Sequence, residues 1–157
     1  MSAAVQPRTQ IRSMSPVDLK AVAAVEQASY EFPWSQAIFR DCLLAGYQCL
    51  VLEIGGTISG YAIMSVAAGE AHILNLCVHP ECQQRGYGRR LLNALLIKAQ
   101  ALGVERVFLE VRPSNDIAIR LYRSAGFEQI GVRPSYYQAS GGREDAVIFA
   151  ATVSEVR

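Results

Sequence analysis

The sequence predicts an α/β (α+β) fold, a mixed and mostly antiparallel sheet of about seven strands flanked by about four helices. Three observations predict it. Between Cys49 and Val78, three β-rich apolar runs are separated only by Gly55-Gly56-Thr57 and Ala67-Ala68-Gly69, which are hairpin signals. From Leu74 onward the pattern becomes strand, glycine-rich loop, helix, strand, helix, a crossover that calls for parallel strands. Two further β-rich runs are joined across Ser140-Gly141-Gly142.

The elements follow in order. Gln10 to Ser13 forms a short first strand. Ser15-Pro16-Val17-Asp18 opens a helix, with Ser15 as N-cap, Pro16 in the first turn and Asp18 completing a capping box. Met14 and Leu19 stand at staple positions, and Leu19, Val22, Ala23 and Val25 make one apolar face ending near Tyr30. Phe32-Pro33-Trp34-Ser35 breaks that helix and starts a second, capped by Ser35, stapled by Trp34 and Phe39, and ending near Gly46. Strands span Cys49 to Ile54, Ile58 to Val66 and Glu70 to Val78. A helix from about Gly88 to Leu102 carries Leu91, Leu92, Leu95, Leu96, Ala99 and Leu102 on one face, with Gly103 as its C-terminal cap. Arg106 to Val111 is a strand. Arg112-Pro113-Ser114 interrupts, and a helix runs from about Asn115 to Ala125, with Gly126 capping it and Phe127 folding back on Leu121. Glu128 to Tyr136 and Ala146 to Val153 complete the sheet.

At 157 residues the chain is expected to be one domain, residues 1–157, with a core of about 11–153 and short tails. It is 51% hydrophobic and 18% charged, the composition of a globular protein. Lys+Arg number 15 against 14 Asp+Glu, a net charge of +1, which supplies no general pull toward nucleic acid. No apolar run has the length of a membrane span, and the opening MSAAVQPRTQ has no apolar leader core. The expectation is a cytoplasmic protein, a monomer or weak homodimer. Cys42, Cys49, Cys77 and Cys82 form no CxxC pair and read as reduced, mostly buried thiols. Cys77, His79 and Cys82 are conceivable metal ligands, but only His72 lies near enough for a fourth, so no metal is expected.

Residues Leu74 to Leu92, LNLCVHPECQQRGYGRRLL, hold the chemistry. A strand, a glycine-rich loop and a helix start aim backbone N–H groups and a helix dipole at one place, which suits a phosphate. Arg85, Arg89 and Arg90 add charge. No Gly-Lys-Ser/Thr follows, which excludes a P-loop. Gly86 and Gly88 give GxG, but Leu91 stands where a dinucleotide fingerprint needs its third glycine, and the loop is too long for that turn.

Gln83-Gln84-Arg85-Gly86-Tyr87-Gly88 resembles the acetyl-CoA pyrophosphate loop of the GNAT family of N-acetyltransferases. Three further stretches resemble the RimI type within it: Phe32-Pro33-Trp34-Ser35; Leu109-Glu110-Val111-Arg112 with Ser114-Asn115; and Tyr136-Tyr137 followed by Gly142-Arg143-Glu144-Asp145-Ala146. Enzymes of that type acetylate the N-terminal alanine of small-subunit ribosomal protein eighteen. The resemblance implies acetyl-CoA as cosubstrate and a protein N-terminus, that of a ribosomal protein, as partner.

It also implies roles for particular residues. Glu110 becomes the general base; read from the residues alone it is equally a solvated glutamate at a strand end. Tyr122 becomes the general acid for the CoA sulfur; from the residues alone it is more simply helix packing. Leu76, Cys77 and Val78 would pair through their backbone with the pantetheine arm, and Gln84, Arg85, Gly86, Tyr87, Gly88 and Arg89 would hold the pyrophosphate. Asn115 matches a cofactor contact and is also a natural N-cap. Trp34, Tyr136, Tyr137, Glu144 and Asp145 would line the peptide groove, although Trp34 equally suits packing at a helix junction and the acids an ordinary turn. An α-amine, of pKa about 8 against about 10.4 for lysine, is the easier amine to deprotonate. Another amine, such as lysine or a polyamine, and a non-catalytic acyl-CoA-binding module remain the alternatives.

Overall fold

The computed structural model describes residues 8–156. The opening MSAAVQP, read above for a leader, and Arg157 lie outside them. Strands β1 (Thr9–Ser13), β2 (Gln48–Ile54), β3 (Thr57–Ala67), β4 (Glu70–Val78), β5 (Arg106–Val111), β6 (Glu128–Ala139) and β7 (Gly142–Thr152) form one sheet in the order β1-β2-β3-β4-β5-β7-β6. The helices are α1 (Leu19–Ser29), α2 (Gln36–Leu44), α3 (Tyr87–Ala101) and α4 (Asp116–Ser124). Among the described residues no helix is long and apolar enough to cross a membrane.

β4 and β5 pair in parallel, Glu70 opposite Arg106 through Ile73 opposite Leu109, as the crossover requires. The second crossover, β5 to α4 to β6, does not put β6 beside β5. β7 lies between them, antiparallel to both. Burial explains the exchange. β7 buries Ala146, Phe149, Ala150 and Ala151, whereas β6 is exposed along most of its length and stays at the sheet edge. The last hairpin is also longer than the sequence indicates. β6 runs on to Ala139 and β7 begins at Gly142, so Arg143, Glu144 and Asp145 are strand residues rather than a turn. Their pairing is masked in the sequence by Pro134 and by a register shift between Arg133 and Tyr137, where Ser135 takes a left-handed φ of 52°.

The chain divides into two compact units. One takes in the residues up to Ile63 together with Leu76–Leu91. Its entry is fixed by Asp18, which accepts the Ser15 N–H at 2.8 Å in the capping box and two bonds from Arg12, at 2.7 and 2.9 Å. Those bonds from Arg12 hold the Asp18 carboxyl down at about 2. Ser35 caps α2 by accepting the Ile38 N–H at 3.4 Å, and Trp34 packs on Phe39 with ring centroids 5.3 Å apart. Phe39 in turn meets the edge of Tyr61 at 5.1 Å. Beneath them Glu26, 2% exposed, accepts the Tyr61 hydroxyl and, at 2.9 Å, the Trp34 N–H. β3 and the end of β4 approach closely at Gly60, where a Cβ would stand 2.8 Å from the Cys77 carbonyl oxygen.

The other unit comprises Met64–Asn75 and the chain from Leu92 onward. Val107, Leu109 and Val111 of β5 are buried, as are Phe127 and Phe149. On α3, Leu92, Leu95, Leu96 and Ala99 are buried as the stripe requires, but Leu102 is 51% exposed because the helix ends at Ala101. Gly126 reverses the chain after α4 at φ 100°, and Phe127 folds back edge-on to Tyr122, with centroids 5.7 Å apart.

Candidate active site

Apart from Asn115, the residues expected to hold a cofactor lie in the first unit. β4 ends at Cys77 and Val78, both buried. Burial pushes the Cys77 thiol up, which keeps it in its protonated and inert form. The Gln83 side-chain amide donates to the Val78 carbonyl at 3.0 Å and so ties the loop to the strand end. Gln84 and Gly86 both take left-handed conformations, φ 62° and 85°. A non-glycine residue at such a φ is strained, and alternation of this kind turns successive N–H groups to one side of the backbone. Gly86 faces open space, with nothing within 4 Å of where a Cβ would stand. α3 begins at Tyr87, so its first N–H groups, which have no partner inside a helix, adjoin the same loop. A phosphate fits this loop on both counts. Trp34 is also in this unit, at the start of α2, with its N–H on Glu26.

The residues expected to carry out chemistry lie in the second unit. Glu110 stands next to last in β5, opposite Ile148, with its side chain 13% exposed. Its Oε2 meets Nε2 of His72, and its Oε1 lies 3.7 Å from Nη1 of Arg133. An open pocket of about 390 Å³ lies beside it, lined among others by Ser65, Glu70, His72, Phe108 and Ile148. Tyr122 is buried on α4. Asn115 caps that helix, its side chain accepting the Ala118 N–H at 3.1 Å. Tyr136 and Tyr137 pack edge-on, 4.8 Å between centroids, with Arg133 over the first ring and Arg112 over the second, each at 4.4 Å. Burial, with Tyr136 and Glu110 nearby, raises the Tyr137 phenol above its ordinary value. The two acids of β7 have partners within the fold. Glu144 accepts from Arg112 at 3.0 Å, which lowers its carboxyl, and Asp145 accepts the Ser135 N–H at 2.9 Å.

Three comparisons place this arrangement among known proteins. The acetyltransferase (GNAT) family matches residues 19–127. The chain belongs to the GNAT acetyltransferase family. It is 39% identical over 144 residues to the [ribosomal protein bS18]-alanine N-acetyltransferase of Escherichia coli (strain K12), covering 92% of this chain and 97% of that one. The crystal structure of the ribosomal-protein-S18-alanine N-acetyltransferase from Escherichia coli matches with a TM-score of 0.87 at 38% identity, over 93% of this chain and 94% of that one. yncA of Salmonella typhimurium, solved with its cofactor acetyl-CoA, shares the fold at TM-score 0.78 and 24% identity, over 94% and 95% of the two chains.

The GNAT resemblance read from the loop and from the RimI-like stretches is therefore borne out, and the protein is an acetyltransferase. Sequence reasoning passed over two groups of this GNAT chain that the fold gathers at Glu110. The sequence offers His72 only as a conceivable fourth metal ligand, and it does not single out Arg133. A signal for His72 existed. Parallel pairing of β4 with β5 sets it beside Phe108, one diagonal from Glu110. Arg133 gave none, because its position depends on β7 lying between β5 and β6.

Proposed function

We propose that this protein transfers acetyl from acetyl-CoA to the α-amine of an N-terminal alanine, that of small-subunit ribosomal protein eighteen, and that its 157 residues act as a single acetyltransferase domain. The observation that carries the reading is Glu110, a half-buried carboxylate at a strand end, held by two cationic or N–H-bearing side chains and opening on a pocket. A base so placed can take a proton from an ammonium group, directly or through one water.

The strand end Leu76, Cys77 and Val78 offers its backbone to the pantetheine arm, and the Val78 N–H donates to the thioester oxygen as its charge grows. Gln84, Arg85, Gly86, Tyr87, Gly88 and Arg89 hold the pyrophosphate, and the open face at Gly86 supports their fit. When bound, acetyl-CoA supplies the activated acyl group. Glu110 removes a proton from the α-ammonium and frees its lone pair. Tyr122 donates its phenolic proton to the departing sulfur, which requires a positioned hydrogen bond because the phenol is ordinarily the weaker acid. Asn115 serves as cap and as cofactor contact. Trp34, Tyr136 and Tyr137 line the peptide path. Glu144 and Asp145 support that wall through Arg112 and Ser135.

The test is free-thiol release from acetyl-CoA with peptides beginning in alanine, followed by mass spectrometry to locate the acetyl group. Modification of the α-amine supports the reading. Acetylation confined to lysine ε-amines, or tight CoA binding with no turnover on any amine, contradicts it.

A further inference from the structure

We propose that His72 is a positioning residue for Glu110 and that its protonation state sets the pH range in which that base works. The proposal rests on the reading of Glu110 as the base and adds a second titrating group to it.

The two side chains meet because of register. Parallel pairing sets His72 of β4 against Phe108 of β5, and the imidazole reaches two residues along to Glu110, where Nε2 meets Oε2. Arg133 approaches the other oxygen, Oε1, at 3.7 Å. A carboxylate approached at both oxygens is held in one orientation, as a base must be to face its proton. His72 is the more exposed partner, 37% against 13% for the Glu110 side chain, and it lines the open pocket. Water in that pocket can therefore exchange protons with the imidazole.

The charge state of the imidazole then matters. Neutral His72 donates one N–H to Glu110 and orients it without adding charge. Protonated His72 places a full positive charge on the carboxylate, holds it ionised and weakens it as a base. The surrounding groups leave this effect to His72. Glu70 of β4 lines the same pocket, and Arg106 of β5 is drawn over Phe108 at 4.9 Å. Arg112, just after β5, is paired with Glu144 of β7, and Asp145 of β7 accepts from Ser135. Arg133 of β6 stands at the other carboxylate oxygen, burial holds Tyr137 of β6 in its neutral form, and β3 contributes the uncharged Ser65. Tyr122 of α4 lies among the neighbours of Tyr137. Imidazole is the one of these groups that ordinarily titrates near neutrality.

The experiment measures kcat and KM at saturating acetyl-CoA, from pH 5.5 to 9, for the wild type, His72→Gln, His72→Ala and Glu110→Gln, with a thermal melt of each. Glutamine keeps an N–H donor and removes the titration. The expected result is a His72→Gln enzyme with near wild-type kcat at pH 8 and an acidic limb moved down by about half a unit or more. His72→Ala is expected to lose about tenfold in kcat with KM little changed. An unmoved acidic limb in His72→Gln, or wild-type kcat in His72→Ala, would overturn the proposal while leaving Glu110 as the base. Wild-type kcat in Glu110→Gln would overturn the base reading itself, and this proposal with it.

Discussion

Arg112, the residue after β5, holds Glu144 of β7, Nη1 to Oε1 at 3.0 Å, while its guanidinium lies 4.4 Å from the centre of the Tyr137 ring. One arginine thus fixes an acid and an aromatic of the proposed peptide wall. Arg112→Ala is expected to raise KM for the peptide about tenfold and leave KM for acetyl-CoA unchanged. Both side chains of the pair are partly exposed, so the cost in folding stability should stay within about 1 kcal/mol. Steady-state kinetics with each substrate varied in turn checks this.

Tyr61 and Glu26 form a buried pair to which Trp34 is tied by its N–H. Tyr61→Phe removes a hydrogen bond donated to a buried carboxylate. A loss of about 1–3 kcal/mol is expected in denaturant unfolding. Trp34 is the chain's one tryptophan, so its fluorescence maximum should also shift in the folded variant. Unchanged emission would show that Glu26 does not hold this segment.

Asp18 gives a pH-dependent contribution to stability. Its folded carboxyl lies near 2, below the ordinary value of about 3.9. The stabilisation is therefore complete above the unfolded pKa and is lost as pH falls through the folded one. Asp18→Asn should lower Tm at pH 6, and the gap to wild type should close between about pH 4 and pH 2. A gap independent of pH would contradict the role of the Arg12–Asp18 pair.

Gly60 is required by proximity. A methyl group there would stand 2.8 Å from the Cys77 carbonyl oxygen, which is backbone and cannot step aside alone. Gly60→Ala should cost about 1–3 kcal/mol and weaken CoA binding, because the end of β4 must move. Calorimetric titration with CoA measures the second effect.

Much of the fold was legible because local signals agreed with tertiary need. The box from Ser15 to Asp18, the α3 stripe and the β5 limits each follow from a residue pattern that the fold also uses. The last hairpin was only partly legible. Its strand pairing passes through Pro134 and a left-handed Ser135, and the place of β7 is decided by burial competition with β6 rather than by chain order. At the candidate site, the loop from Gln84 to Arg89 and the residues Glu110 and Tyr122 were visible as residue types. The grip on Glu110 was not, because His72 and Arg133 come to it through strand register, which no short motif encodes.

The central claim is that Glu110 deprotonates the α-amine of an alanine-initiated peptide. Its most direct test is the rate of free-thiol release with such a peptide, compared between wild type and a folded Glu110→Gln variant. A loss of about 10²–10⁴-fold in kcat is expected in that variant, with acetyl-CoA binding retained. Equal rates in the two enzymes, or thiol release independent of the peptide, would contradict it.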